Sequence, residues 1–151
     1  MTTGKLLGLT LLASASLIAT AASAEHVRDG GKILTATLTG AAERPGPGDP
    51  DGSGSITITV NPGQKRICYE LTVAGIDAPT AAHIHIAPVT DPGPVVIPFP
   101  APPLGASSGC IDVPSRQAAQ LIAKPSAYYF NVHNAAFPAG AIRGQLAKAP
   151  H

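Results

Sequence analysis

From Lys32 onward, apolar and polar residues alternate with a period of two, which is the pattern of strands with one buried face. Lys32 to Thr39 puts Leu34, Ala36 and Leu38 on one side and threonines on the other. Ser55 to Val60 puts Ile56, Ile58 and Val60 inward and Thr57 and Thr59 outward. Asn61-Pro62-Gly63-Gln64 reads as a turn, because Pro presets φ at its second position and Gly tolerates positive φ at its third. Lys65 to Val73 returns with Ile67, Tyr69, Leu71 and Val73 inward, so the two segments form a hairpin. Further strands are expected at Ala82 to Ile86, at Val95 to Ile97 (stopped by Pro98), and at Gly109 to Val113. Two more follow at Tyr128 to His133 and at Ala141 to Leu146, the latter with Ile142 and Leu146 inward and Arg143 and Gln145 outward. The one helical pattern is Pro114 to Ala123, with Ala118, Leu121 and Ile122 on one side. Gly40 to Ser53 and Pro88 to Pro94 read as loops, and Pro100, Pro102 and Pro103 as a stiff connector. About eight short strands and one short helix predict an all-β fold, an antiparallel β-sandwich of Greek-key type or a flattened barrel.

Two of these strands carry the candidate chemistry. In Ala82-His83-Ile84-His85-Ile86, alternation turns Ile84 and Ile86 to the core and stands His83 and His85 side by side on the other face. In Tyr129-Phe130-Asn131-Val132-His133, Phe130 and Val132 take the apolar face and leave His133 on the polar one. The chain has five histidines, and three lie in these two strands. Neighbouring strands would bring three imidazoles onto one metal ion. A hydrogen-bonded structural cluster and unconnected surface residues are the competing readings. Imidazole suits Zn, Cu, Fe and Ni. Three neutral imidazoles without thiolate or carboxylate, in an oxidising compartment, point to copper, with zinc second. Three ligands would leave one coordination position open, where Arg143 could attract an anion such as superoxide. Arg143 reads equally as a strand residue that donates to carbonyls. His26 and His151 read as terminal residues. Ser107, Ser108 and Ser115 lack a nucleophile-elbow context, so hydrolysis has no support.

The start of the chain sets the compartment. Lys5, the uncharged apolar run from Leu6 to Ala19 and Ala22-Ser23-Ala24 have the three parts of a secretory signal, so residues 1–24 are expected to be removed and the chain exported, periplasmic or secreted. The apolar run is short for a membrane span, and no membrane anchor is expected. Residues 25–31 read as a flexible start, 32–147 as the domain and 148–151 as a tail. Of ten Lys and Arg, the signal removes Lys5, which leaves nine basic against nine acidic residues. No basic stripe or aromatic-rich basic patch is present, so nucleic acid is not an expected partner. In an exported chain the two cysteines, Cys68 and Cys110, are most simply a disulfide. It would close a loop of about 43 residues, a cross-link worth about 2–4 kcal/mol. A thiolate metal site is the rival reading of that pair.

Three segments resemble a known family. Leu38-Thr39-Gly40-Ala41-Ala42-Glu43-Arg44-Pro45 resembles the opening of a CHRD domain, the module named after chordin. Ala82-His83-Ile84-His85 followed by Gly93-Pro94-Val95-Val96 is similar to its middle motif. Tyr129 to His133, then Pro138-Ala139-Gly140-Ala141-Ile142-Arg143-Gly144-Gln145, is similar to its closing motif. Asn134 stands where Thr is usual in the family, and Ala141 where an acid is usual. The resemblance implies an extracellular β-fold and, by way of chordin, a non-enzymatic module that binds an extracellular protein. A His-x-His strand with a later His on a neighbouring strand is also similar to the copper site of copper-zinc superoxide dismutase, without that family's fourth copper ligand or its zinc set. That similarity implies a superoxide-dismutase-like sandwich and copper redox activity. An exported copper-binding module and an extracellular interaction module are thus the two functional expectations.

Overall fold

The threonine–isoleucine alternation read from the sequence becomes a ladder in which apolar positions oppose one another. The computed structural model describes residues 31–150 together with Met1. Apart from Met1, the expected signal segment lies outside the described residues, as do residues 25–30 of the expected flexible start (His26 among them) and His151. The strands are β1 (Lys32–Thr39), β2 (Ser53–Asn61), β3 (Arg66–Ala74), β4 (Pro79–Ile86), β5 (Val95–Phe99) and β6 (Gly105–Asp112), followed by β7 (Tyr128–Asn134), β8 (Ile142–Gln145) and β9 (Ala147–Lys148). The helix α1 is Ser115–Ala123, and short 3₁₀ turns occupy Gly40–Ala42 and Pro125–Ala127. Leu34 opposes Ile58, Ile58 opposes Tyr69, and Ala36, Ile56 and Leu71 form the next row. One sheet face is therefore continuous hydrocarbon, and Leu38, Ile58, Val60, Ile84, Phe130 and Ile142 on it are completely buried. Burying each such side chain contributes about 1.5–3 kcal/mol.

The expected all-β antiparallel architecture with one short helix forms. All its strands belong to a single sheet, ordered β5-β4-β7-β8-β1-β2-β3-β6, with β9 paired to β1. The sheet curls until its two ends nearly meet. Tyr69 of β3 packs edge-to-face on Phe99 of β5, with ring centroids 5.2 Å apart, and Phe99 packs likewise on Phe130 of β7 at 5.2 Å. The helix bridges the remaining opening. Ala118 and Leu121 point into the core, the Ser115 hydroxyl donates to the Pro62 carbonyl at 2.7 Å, and Gln117 Nε2 donates to the Val96 carbonyl at 2.7 Å. Where β8 crosses β1, a Cβ on Gly144 would collide with the Thr37 carbonyl, so only glycine permits that close approach.

Several local expectations change in the folded chain. Pro98 lies inside β5 rather than ending it, because β5 is an edge strand and needs no donor there. Ile86 was expected in the core but is 41 % exposed, since the inward row of β4 runs past the end of the packed interior. Arg143 was expected outward and exposed. It does leave the core side of the sheet, yet it is 1 % exposed, because the loop from Ala87 to Pro94 covers it. At the end of the chain Lys148 pairs with Leu34 rather than lying in a free tail.

Cys68 and Cys110 oppose each other directly across β3 and β6 and are joined as a disulfide. Their Cα atoms are 4.0 Å apart, just below the about 4.4–6.8 Å usual for disulfides, because directly opposed strand residues already approach to about 4.5 Å. Among the described residues there is no free cysteine. The protein should therefore show no alkylatable thiol before reduction. Replacing both cysteines by alanine should lower the unfolding free energy by about 2–4 kcal/mol, measured by denaturant titration. Two reactive thiols in the unreduced protein would contradict the pairing.

Candidate metal centre

The antiparallel pairing of β4 with β7 builds the site. Its register sets His83 opposite Asn131, His85 opposite Tyr129 and Ala81 opposite His133. Alternation then turns His83, His85, Tyr129, Asn131 and His133 to the same side, away from the hydrocarbon face. β8 continues the two rows, with Arg143 opposite Asn131 and Gln145 opposite Tyr129. The three histidines expected to converge do so: one nitrogen from each lies within 4.8 Å of the others. Ring centroids are 5.4 Å apart for His83 and His85, 5.0 Å for His83 and His133, and 6.1 Å for His85 and His133.

Hydrogen bonds fix which nitrogen each ring turns inward. His85 Nδ1 is 2.8 Å from the Gly93 carbonyl, which can only accept, so Nδ1 carries the proton and Nε2 presents a lone pair. His85 Nε2 is buried and has no hydrogen-bond partner. His133 Nδ1 donates to the Pro138 carbonyl at 3.1 Å, which leaves its Nε2 facing the cluster. His83 Nδ1 lies 3.1 Å from that His133 Nε2. Orienting a ligand imidazole through its outer N–H is the usual support of a metal site. Burial lowers the pKa of all three rings, and the neighbouring imidazoles lower that of His83 further. The rings are thus held neutral, the state that binds a metal.

A second layer of side chains holds this arrangement. His85 stacks on Tyr129 with centroids 4.7 Å apart and planes 7° from parallel, and the Arg143 guanidinium lies 3.5 Å from the centre of the Tyr129 ring. Arg143 donates to the carbonyls of Asp91 at 3.1 Å and Pro88 at 2.9 Å. Gln145 donates to the carbonyls of Ala87 and Ser126, each at 2.8 Å. The loop from Ala87 to Pro94, which supplies the Gly93 carbonyl to His85, is thereby pinned to the sheet. The Gly93 amide also donates to the Tyr129 hydroxyl at 3.1 Å.

Two contributors, Asn131 and Glu43, went unread in the sequence. Asn131 shares the face of His133 by simple alternation, a signal that was available; its Oδ1 is 3.0 Å from His133 Nε2. Tyr129 follows from the same alternation. Glu43 sits in a turn with no periodic signal; it is 3 % exposed and shares a hydrogen bond with Asn131. Gly140, at φ 144°, passes so close that a Cβ there would collide with the Glu43 carboxylate. Of the family's two substituted positions, Asn134 accepts from the Phe137 amide at 2.7 Å and so caps the following turn, and Ala141 is completely buried.

The fold is an all-β module with a disulfide, and no described helix is long and apolar enough to cross a membrane. The family model "CHRD domain" matches residues 34–146, and the chain belongs to the CHRD domain family. Comparisons with curated proteins and with solved structures find no match. The similarity to copper-zinc superoxide dismutase is therefore not confirmed by any structural match.

Burial raises the Glu43 pKa from 4.5 to about 7, against the opposing pull of Arg143 and of the Asn131 hydrogen bond. The folded state then holds this proton more tightly than the unfolded chain, so Glu43 costs stability as pH rises from about 4.5 to about 7. Glu43→Gln carries no such proton. Its unfolding free energy relative to wild type, measured by denaturant titration, should rise across that interval and level off above it, with a span of up to about 3 kcal/mol. Equal differences at pH 5 and pH 8 would contradict this assignment.

Proposed function

We propose that the protein is an exported metal-binding CHRD module that holds one metal ion through His83, His85 and His133, with copper the first choice and zinc the second. The observation that carries this reading is the convergence of three neutral imidazoles, two of them oriented from behind by backbone carbonyls. Surface histidines have no reason to share that arrangement. A merely structural cluster would not leave the buried His85 Nε2 without a partner. His83 and His133 are only partly buried, which gives an ion a way in from solvent.

Copper redox chemistry of the superoxide dismutase kind extends this reading: one superoxide is oxidised to dioxygen, and another, with two protons, is reduced to hydrogen peroxide. Arg143 enters as a positioning residue, because its N–H groups are engaged by loop carbonyls behind Tyr129; its charge contributes only a field at a distance. The second reading is a non-enzymatic extracellular protein-interaction module. Family membership and the exposed apolar residues Ile86, Val89 and Val95 beside the site favour it.

Purified protein loaded with copper and dialysed should retain about one copper per chain, and His85→Ala should lose most of it. The reason is geometric, since two neighbouring positions of one strand pre-orient each other and removal of one leaves at most two imidazoles. No metal retained by the wild type would leave the interaction module. A loaded protein that retains copper without dismutating superoxide would be a metal carrier. If it does dismutate, Arg143→Ala should reduce the rate more at low than at high salt, because screening weakens steering.

A further inference from the structure

We infer that Asn131 supplies a fourth donor, its side-chain oxygen, to the three-histidine site, and that Glu43 holds that oxygen in place. This rests on the metal-binding reading above and sharpens the class of ion that the site takes. Asn131 stands in the middle of the cluster's face, opposite His83, and is 1 % exposed. Its Oδ1 is 3.0 Å from His133 Nε2. A carboxamide can turn either its oxygen or its NH₂ toward a neighbour. Glu43 decides between them. Above its pKa of about 7 Glu43 is a carboxylate and can only accept, so the hydrogen bond it shares with Asn131 then comes from the NH₂ group, and the oxygen is left facing the imidazoles.

The consequence is a crowd of acceptors. His85 Nε2 and His133 Nε2 both present lone pairs, since each ring spends its proton on a backbone carbonyl. Asn131 Oδ1 adds another acceptor beside them, and His83 brings one ring proton for the whole group. A cation among these atoms turns mutual repulsion into coordination. The spacings suit one, because donors about 2.0–2.1 Å from a tetrahedral ion lie roughly 3.3 Å apart, and those here are 3.0 and 3.1 Å apart where they touch. Three imidazoles and one amide oxygen form a donor set for zinc or cupric copper. Cuprous copper, which favours soft ligands, is disfavoured. The fourth position, expected from the histidines alone to be open, is filled.

The test is zinc affinity by chelator competition, together with the visible spectrum of the cobalt-loaded protein. Asn131→Ala should bind zinc about 10–100-fold more weakly and change the cobalt spectrum as water replaces the amide oxygen. Asn131→Asp keeps an oxygen and adds charge, so it should bind at least as tightly as wild type, and it serves if the alanine variant does not fold. His133→Ala should lose zinc and is the control for the histidine reading. Zinc affinity and cobalt spectrum unchanged in Asn131→Ala, with zinc lost in His133→Ala, would overturn the fourth donor and leave the histidine site standing. Weaker binding by a folded Asn131→Asp would also overturn it. Failure of wild type to bind zinc or copper would remove both.

Discussion

Everything at the centre depends on the pairing of β4 with β7. The backbone ladder between them sets His83 against Asn131 and His85 against Tyr129, and the inward alternates, Ile84 and Phe130, are completely buried. A slip of one residue would turn the isoleucine and phenylalanine to solvent and the polar residues into the core. The hydrophobic core therefore specifies the geometry of the polar face. The same burial that stabilises the sheet brings imidazoles from residues 83, 85 and 133 within 4.8 Å of one another.

The polar face is itself sealed by a second layer. Arg143, Tyr129 and His85 form a continuous stack, and Arg143 and Gln145 tie the loop from Ala87 to Pro94 onto it through three hydrogen bonds to its carbonyls. The buried guanidinium is compensated by the face of an aromatic ring, by carbonyl oxygens and by the nearby Glu43. This arrangement makes Arg143 part of the scaffold that aims His85.

Strand positions and the shared face of the three histidines were legible in the sequence because both follow from a period of two, and alternation survives folding. Ile86 was misread because periodicity says which side a residue faces but not where the packed interior ends. The burial of Arg143 was illegible for a related reason, since the covering loop has no pattern of its own. Glu43 and the Gly93 carbonyl belong to irregular segments whose placement depends on tertiary contacts. Asn131 shows a different failure. Its face was readable, but an amide attracts less notice than an imidazole even when it lies between two of them.

The most direct test is a crystal of the metal-loaded protein with anomalous scattering measured at the metal edge. A single peak within about 2.0–2.1 Å of His85 Nε2, His133 Nε2 and a His83 nitrogen is the expected result. Absence of any peak there under saturating metal, with His83 and His133 still joined by their hydrogen bond, would contradict the account.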